Sequence, residues 1–158
     1  MRRVMLNVFP IVLLTLISCK SKNQVLVEEN FQNDSRITLI DSDEYSGIYE
    51  SETLVIRDMK TLSKFYSKVN RTRKPGLPVP TIDFSKYTAL VICAGEQKPN
   101  SKMALSFGNE GDDNHLEINI SVKRSNPSGD TQITVVAYPF YLYTIPLTDK
   151  SIGFQYLK

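Results

Sequence analysis

A short apolar run near the middle of the chain, residues 87–94, constrains the fold more than any other segment. It is apolar at both odd and even positions, which is typical of a β-strand covered on both faces. The turn-prone residues 83–86 precede the run, and Gly95 ends it. We therefore predict a strand in the middle of a sheet and not at its edge.

One segment has the pattern of an α-helix. Asp58 can cap its first turn, because a carboxylate there accepts hydrogen bonds from otherwise free backbone amides. Four apolar residues recur at the spacing i, i+3, i+4 and i+7, which forms one apolar stripe along a helix: Leu62, Phe65, Tyr66 and Val69. The lysines of the segment fall on the side opposite this stripe, and the segment ends near Asn70.

The remaining elements are predicted to be strands and turns. Residues 41–44 and 46–47 are turn-prone, and residues 115–122 alternate between apolar and polar side chains as a half-buried strand does. The 158 residues are enough for one domain with a substantial core. We predict a single α+β domain over residues 36–158, a mainly antiparallel sheet with one packed helix. The other predicted strands are residues 36–40, 52–57, 103–107, 132–138, 140–145 and 151–156.

The amino-terminal segment has the pattern of a targeting signal. Arg2 and Arg3 precede an apolar stretch of about 14 residues, too short to span a bilayer comfortably but typical of a secretory signal. The sequence Leu-Ile-Ser-Cys that ends at Cys19 is similar to the lipobox of bacterial lipoproteins. We predict a signal peptide at residues 1–18, acyl chains such as palmitate on Cys19, and a flexible tether at residues 19–35. The alternatives are an ordinary signal peptide with a chance cysteine, or a plain membrane anchor.

The charge balance bears on the class of partner. Without Arg2 and Arg3, the 19 basic residues become 17 and equal the 17 acidic ones. This balance argues against nucleic acid as the main partner, because phosphate binding needs a clustered basic surplus. A lipidated or cleaved Cys19 also excludes a disulfide with Cys93, whose position in the apolar run indicates a small buried side chain. A reactive thiol is the alternative for Cys93.

Two segments are candidates for binding. Residues 71–80 contain three prolines and a glycine, which favour an extended loop and exclude a helix. This loop carries three cations that could form a docking patch: Arg71, Arg73 and Lys74. A linker from the helix to the sheet is the simpler interpretation. The second segment holds the densest aromatic cluster of the chain, with Tyr138, Tyr141 and Tyr143. These tyrosines either pack in the core or form a surface that stacks on a ligand or binds a peptide.

Catalytic and metal chemistry find little support in the residues. His115 is the one histidine, and the strand pattern places it on the solvent face, so neither a triad nor a histidine-based metal site is predicted. The acidic residues 109–114 lack the spacing of a helix–loop–helix calcium site. Asp83 and Glu96 flank the central strand at opposite ends, too far apart for shared acid–base work. We predict no catalytic residue set, no cofactor and no metal.

Several short motifs follow one another along the chain and end in a closing hydrophobic strand: Leu-Val-Ile-Arg-Asp at 54–58, Ile-Asp-Phe-Ser-Lys at 82–86, Ala-Gly-Glu at 94–96, Asn-Pro at 126–127 and Tyr-Pro at 138–139. In this order they resemble the PrcB-like family, a domain named after a subunit of a protease complex. The resemblance covers the sequence from about residue 46 onward. One departure is that Pro-Asn-Ser-Lys, residues 99–102, replaces the Thr-Gly-Gly-Tyr usual in that family.

Membership would imply a small lipoprotein or secreted domain that is a non-catalytic accessory to a protease. Together with the lipobox, it favours a lipid-anchored accessory protein of a bacterial envelope that acts by protein–protein contact. The residues after Cys19 favour a periplasm-facing anchor. The alternative is a lipoprotein that binds a peptide or a glycan through its aromatic cluster.

Overall fold

The structure is a computed structural model, and it describes residues 34–98, 101–108, 113–123 and 135–157. The predicted signal peptide, Cys19 and nearly all of the tether lie outside the described residues. The described part contains one α-helix, α1 (Met59–Val69), followed by a 3-10 turn, Asn70–Thr72. Its strands are β1 (Thr38–Asp43), β2 (Ser51–Ile56), β3 (Tyr87–Ala94), β4 (Lys102–Phe107), β5 (His115–Lys123), β6 (Phe140–Pro146) and β7 (Ser151–Tyr156).

The strands form two sheets where the sequence predicted one. The first has the order β1-β6-β3-β2 and is antiparallel throughout. The second has the order β4-β5-β7, in which β4 and β5 are antiparallel and β5 and β7 are parallel. The predicted class, α+β with mainly antiparallel strands and one packed helix, is confirmed.

The central strand β3 is covered on both faces, as its apolar pattern predicts. Ala89, Val91 and Cys93 belong to the core under the helix. Leu90 and Ile92 belong to a second core, between the two sheets. The molecule therefore has three layers, with the helix, the four-stranded sheet and the three-stranded sheet stacked in that order.

The helix begins and ends where the sequence predicts. The Asp58 carboxylate accepts a hydrogen bond from the Thr61 amide at 2.8 Å, and Asn70 caps the other end. The four residues of the predicted stripe are buried against the four-stranded sheet. On the other side of that sheet, β5 contributes Ile118 and Ile120 to the second core, which confirms its predicted alternation.

Three predicted boundaries are wrong or incomplete. Residues 41–43, predicted to be a turn, continue β1, because they pair with β6 beyond a bulge at Ile40. The predicted strand at residues 36–40 begins too early, since the Ile37 amide closes a turn on the Asp34 carbonyl. Of the predicted strand 132–138, residues 132–134 lie outside the described residues. Its last two residues, Ala137 and Tyr138, form only isolated bridges to Gln97 and Tyr45.

The four-stranded sheet has two distinct ends. At one end β1 begins, with Thr38 opposite Thr144. At the other end β1 finishes with Asp43 opposite Phe140, and β3 finishes with Ala94 opposite Ser51. In the part of the chain that the structure describes, the helix is too short and too polar to cross a bilayer.

Candidate functional site

A cleft of about 730 Å³ opens at the end of the four-stranded sheet where β1 finishes. It lies between the loop after β1, the 3-10 turn after α1 and the segment before β6. We call it the tyrosine cleft. Smaller residues and the following four tyrosines and three charged residues line it: Tyr45, Tyr49, Tyr138, Tyr141, Asp43, Glu44 and Arg73.

Backbone hydrogen bonds join the segments around the cleft. The Tyr138 amide donates to the Glu44 carbonyl at 2.9 Å, and the Ser46 amide donates to the Tyr138 carbonyl at 2.8 Å. Gln97 and Ala137 exchange two further bonds of 2.8 and 2.9 Å. Irregular segments therefore have their backbone groups satisfied, and this end of the molecule has a defined shape.

Arg73 ties one wall of the cleft to the other. Its guanidinium donates to both carboxylate oxygens of Asp43 and to the carbonyl oxygen of Tyr45. The same carboxylate accepts the Tyr45 amide at 2.7 Å. The side chains of Arg73 and Asp43 are only 23% and 27% exposed. The positive charge of Arg73 is therefore neutralised inside the molecule.

The predicted basic patch does not form as a unit. Arg71 and Lys74 are exposed and do not line the cleft, whereas Arg73 turns inward to Asp43. The loop that carries them is held by Asn70, whose side-chain amide donates to the Leu77 carbonyl at 2.8 Å and accepts the Leu77 amide at 2.7 Å. The prediction failed for Arg73 because its carboxylate partner lies 30 residues away in sequence.

The three predicted aromatic site residues have different environments. Tyr138 and Tyr141 line the cleft, but Tyr143 is fully buried in the second core and donates to the Met103 carbonyl at 3.3 Å. Tyr143 is therefore a core residue, and its assignment to a binding surface is wrong. Tyr141 is half-buried, stacks on Tyr143 with ring centroids 6.4 Å apart, and donates to the Ser101 carbonyl.

The pKa values of two cleft tyrosines, Tyr138 and Tyr141, are raised for related reasons. Burial raises the pKa of Tyr141, and the nearby negative charge of Glu44 raises it further. The pKa of Tyr138 is also raised, first by desolvation and then by Glu96, whose carboxylate accepts its hydroxyl at 3.4 Å. Both hydroxyls therefore stay protonated at neutral pH and remain hydrogen-bond donors.

Two tyrosines of the cleft were missed from the sequence. Tyr45 and Tyr49 are 54% and 70% exposed, and the ring of Tyr49 meets that of Tyr138 edge-on at 4.9 Å. The Tyr45 hydroxyl donates to the Val136 carbonyl at 3.1 Å. The signal for them in the sequence is that two tyrosines flank a turn-prone Ser-Gly pair, because an aromatic ring at a turn is less easily buried than one in a central strand. Gly47 of that pair has φ +69°, a conformation that favours glycine.

His115 and Cys93 have settings that do not resemble activated groups. His115 Nδ1 lies 3.0 Å from the hydroxyl of Ser151, which also donates to the Asn114 carbonyl. Among the described residues, no carboxylate is hydrogen-bonded to the other ring nitrogen, as a triad requires. The Cys93 thiol is buried, and desolvation, followed by the charge of Glu52, raises its pKa to about 12, so it is not a thiolate at neutral pH.

Within the described residues, no group of three or more His, Cys, Asp or Glu side chains is arranged to hold a metal ion. Most of the acidic turn at residues 109–114 lies outside them. Comparisons with protein-family models, with curated proteins and with solved structures find no match to this chain. Membership of the PrcB-like family therefore stays a prediction, and function is inferred from the cleft and from the amino-terminal pattern.

Proposed function

We propose that this protein is a non-catalytic accessory protein of a bacterial envelope, anchored by acyl chains on Cys19. In this proposal the tyrosine cleft binds a segment of a protein partner. The observation that carries it is the pair of exposed rings, Tyr45 and Tyr49, beside a concave site whose walls are joined by Arg73 and Asp43.

The composition and rigidity of the cleft favour protein–protein contact. Tyrosine is enriched at protein interfaces, because its ring provides a large apolar contact and its hydroxyl a hydrogen bond. The ion pair and the backbone bridges hold the cleft in shape without a partner, so little conformational entropy is lost on binding. A volume of about 730 Å³ is within the range of ligand sites and has room for several side chains.

The position of the cleft suits an anchored protein. A chain held at Cys19 enters the domain at the Thr38 end of the sheet, while the cleft opens beyond Asp43. Six residues of β1 separate these ends, or about 17 Å of strand. In this proposal the anchor leads to the Thr38 end of the sheet, so a partner can approach the cleft from the other end. The PrcB-like resemblance favours a protease or another envelope complex as that partner.

Site-specific photo-crosslinking in native membranes tests the cleft. A photoreactive phenylalanine analogue replaces Tyr49 in one variant and Tyr87 in another. Tyr87 is a matched control, because it is 43% exposed but lies at the opposite end of β3. We expect a discrete crosslinked protein from position 49 and none from position 87. Equal products from both positions, or none from position 49, would contradict the proposal.

The anchor is tested separately by mass spectrometry of the mature amino terminus. We expect a lipidated Cys19 as the first residue, because the preceding Leu-Ile-Ser is similar to a lipobox. Two or more acyl chains hold a protein on a membrane durably, so Cys19→Ala should move the protein from the membrane fraction to the soluble fraction or leave the signal uncleaved. An unacylated amino terminus at any other residue contradicts the anchor.

A glycan is the alternative occupant, favoured by the ring of Tyr49, which is 70% exposed and free to stack on a sugar ring. The crosslinking product distinguishes the two. Peptides of a second protein joined to position 49 identify a protein partner. A carbohydrate mass added to this chain's own peptide identifies a glycan.

A further inference from the structure

We infer that the segment bound in the tyrosine cleft presents a lysine or arginine side chain, held between the carboxylates of Glu44 and Glu96 and the faces of the tyrosines. This inference rests on the proposed function and specifies the chemistry of the partner.

The first argument is the charge left over in the cleft. Among the described residues that line it, Arg73 is the one cation, and Asp43 already neutralises it. Glu44 lines the cleft, and Glu96 lies at its rim, joined to the Tyr138 hydroxyl at 3.4 Å. In the described part of the chain, neither glutamate has an ion-pair partner. The unmatched charge of the site is therefore negative.

The second argument is the proximity of these charges to the rings. The Tyr138 amide donates to the Glu44 carbonyl at 2.9 Å, and the Tyr138 hydroxyl donates to the Glu96 carboxylate at 3.4 Å, so both glutamates are neighbours of the same tyrosine. Glu44 also lines the cleft together with Tyr138 and Tyr141, and its charge contributes to the raised pKa of Tyr141. Both glutamates therefore lie beside rings of the cleft.

The third argument is that the tyrosine rings themselves favour a positively charged ligand. The face of a tyrosine ring is electron-rich and attracts a lysine ammonium or an arginine guanidinium. The ring of Tyr138 meets that of Tyr49 at 83°, so the pair is edge to face and not stacked face against face. Ring faces and carboxylates thus favour the same charge, and an acidic segment is repelled by both.

Three blocked hexapeptides test the charge preference on the full chain in detergent, with its tyrosine rings isotope-labelled for NMR. Their sequences are Gly-Gly-X-X-Gly-Gly, where X is lysine, norleucine or glutamate. The lysine peptide should shift the ring signals of Tyr49 and Tyr138, and norleucine, the uncharged analogue, should bind about five- to tenfold more weakly. The inference is overturned if the glutamate or norleucine peptide binds as well as the lysine peptide, or if the lysine peptide causes no shift.

Charge-neutralising variants locate the interaction. We expect Glu44→Gln combined with Glu96→Gln to raise the Kd of the lysine peptide about five- to tenfold and to reduce its salt dependence. The matched control is Asp113→Asn combined with Asp149→Asn, which removes the same charge from exposed residues outside the cleft. Equal weakening in both double variants, or weakening in neither, would show that the cleft carboxylates do not hold the cation.

The native partner separates this inference from the proposed function. If the crosslink from position 49 forms equally in the wild-type background and in the Glu44→Gln, Glu96→Gln background, the cleft binds a partner but the charge inference is wrong. A crosslink that is reduced in the glutamine background and kept in the asparagine control supports both.

Discussion

Arg73 and Asp43 form an ion pair across 30 residues of chain, with the guanidinium donating to both carboxylate oxygens. The pair joins the loop after α1 to the end of β1. Since Arg73 also donates to the Tyr45 carbonyl, it holds the turn that carries the exposed rings of Tyr45 and Tyr49. One side chain therefore connects the stability of the domain with the shape of the cleft.

Replacing Arg73 by alanine should lower the free energy of unfolding by about 1–3 kcal/mol, because it leaves a partly buried carboxylate without its charged donor. Urea unfolding followed by circular dichroism measures the change. Arg71→Ala is the matched control, since Arg71 is exposed and outside the cleft, and we expect a change within about 0.5 kcal/mol. Equal effects of the two substitutions would contradict a structural role for the pair.

The two cores should respond independently to mutation, because they lie on opposite faces of the four-stranded sheet. Leu62→Ala, in the core under the helix, should cost about 2–5 kcal/mol, and Ile120→Val, between the sheets, about 0.5–1.5 kcal/mol. The double variant should equal their sum within about 0.5 kcal/mol. Leu62→Ala combined with Phe65→Leu, two substitutions in the same core, is the comparison: its free-energy change should differ from the sum of the two single changes. The same deviation from additivity in both double variants would argue against a three-layered structure.

The amino-terminal cap of α1 should contribute stability that depends on pH. Hydrogen bonds from the amide and the hydroxyl of Thr61 hold the pKa of Asp58 below its ordinary value. This contribution is present above the ordinary pKa and is lost as the pH falls through the folded-state pKa. Asp58→Ala should lower Tm by about 2–6 °C at neutral pH and by less in acid, whereas Lys64→Ala, on the exposed face of the helix, should not show that pH dependence.

Stability should fall in alkali because of buried acids. Burial raises the pKa of the Cys93 thiol from 9.0 to about 12, and burial raises those of Tyr66 and Tyr143 above the ordinary value. Above pH 9 the unfolded chain releases these protons before the folded one does, so the free energy of unfolding falls as pH rises.

The loss attributable to Cys93 should be at most about 1.4 kcal/mol per pH unit between pH 9 and 12. Urea unfolding at pH 8, 9 and 10 compares wild type with Cys93→Ala, which should show the smaller loss between pH 9 and 10. Identical pH profiles would show that the thiol ionises equally in both states. A thiol reagent should label Cys93 only after unfolding, and rapid labelling of the folded domain would contradict its burial.

The sequence alone determined those elements whose signals are local. Asp58 and the apolar stripe of α1 predicted the helix and its limits, because capping and the helical period act within a few residues. The run in β3 predicted a strand covered on both faces, and the alternation in β5 predicted one buried face. Each pattern states how a segment is buried, but not which partner covers it.

Only the tertiary structure decided which residues meet at the cleft. Tyr141 and Tyr143 are two residues apart in β6 and therefore point to the same face of the sheet. The second sheet nevertheless covers Tyr143, whereas Tyr141 reaches the cleft. Arg73 and Lys74 are neighbours in sequence, but among the described residues only Arg73 is paired with a carboxylate. The physical reason is that burial and charge pairing depend on contacts between segments far apart in the chain, and a local pattern of residue types carries no information about those contacts.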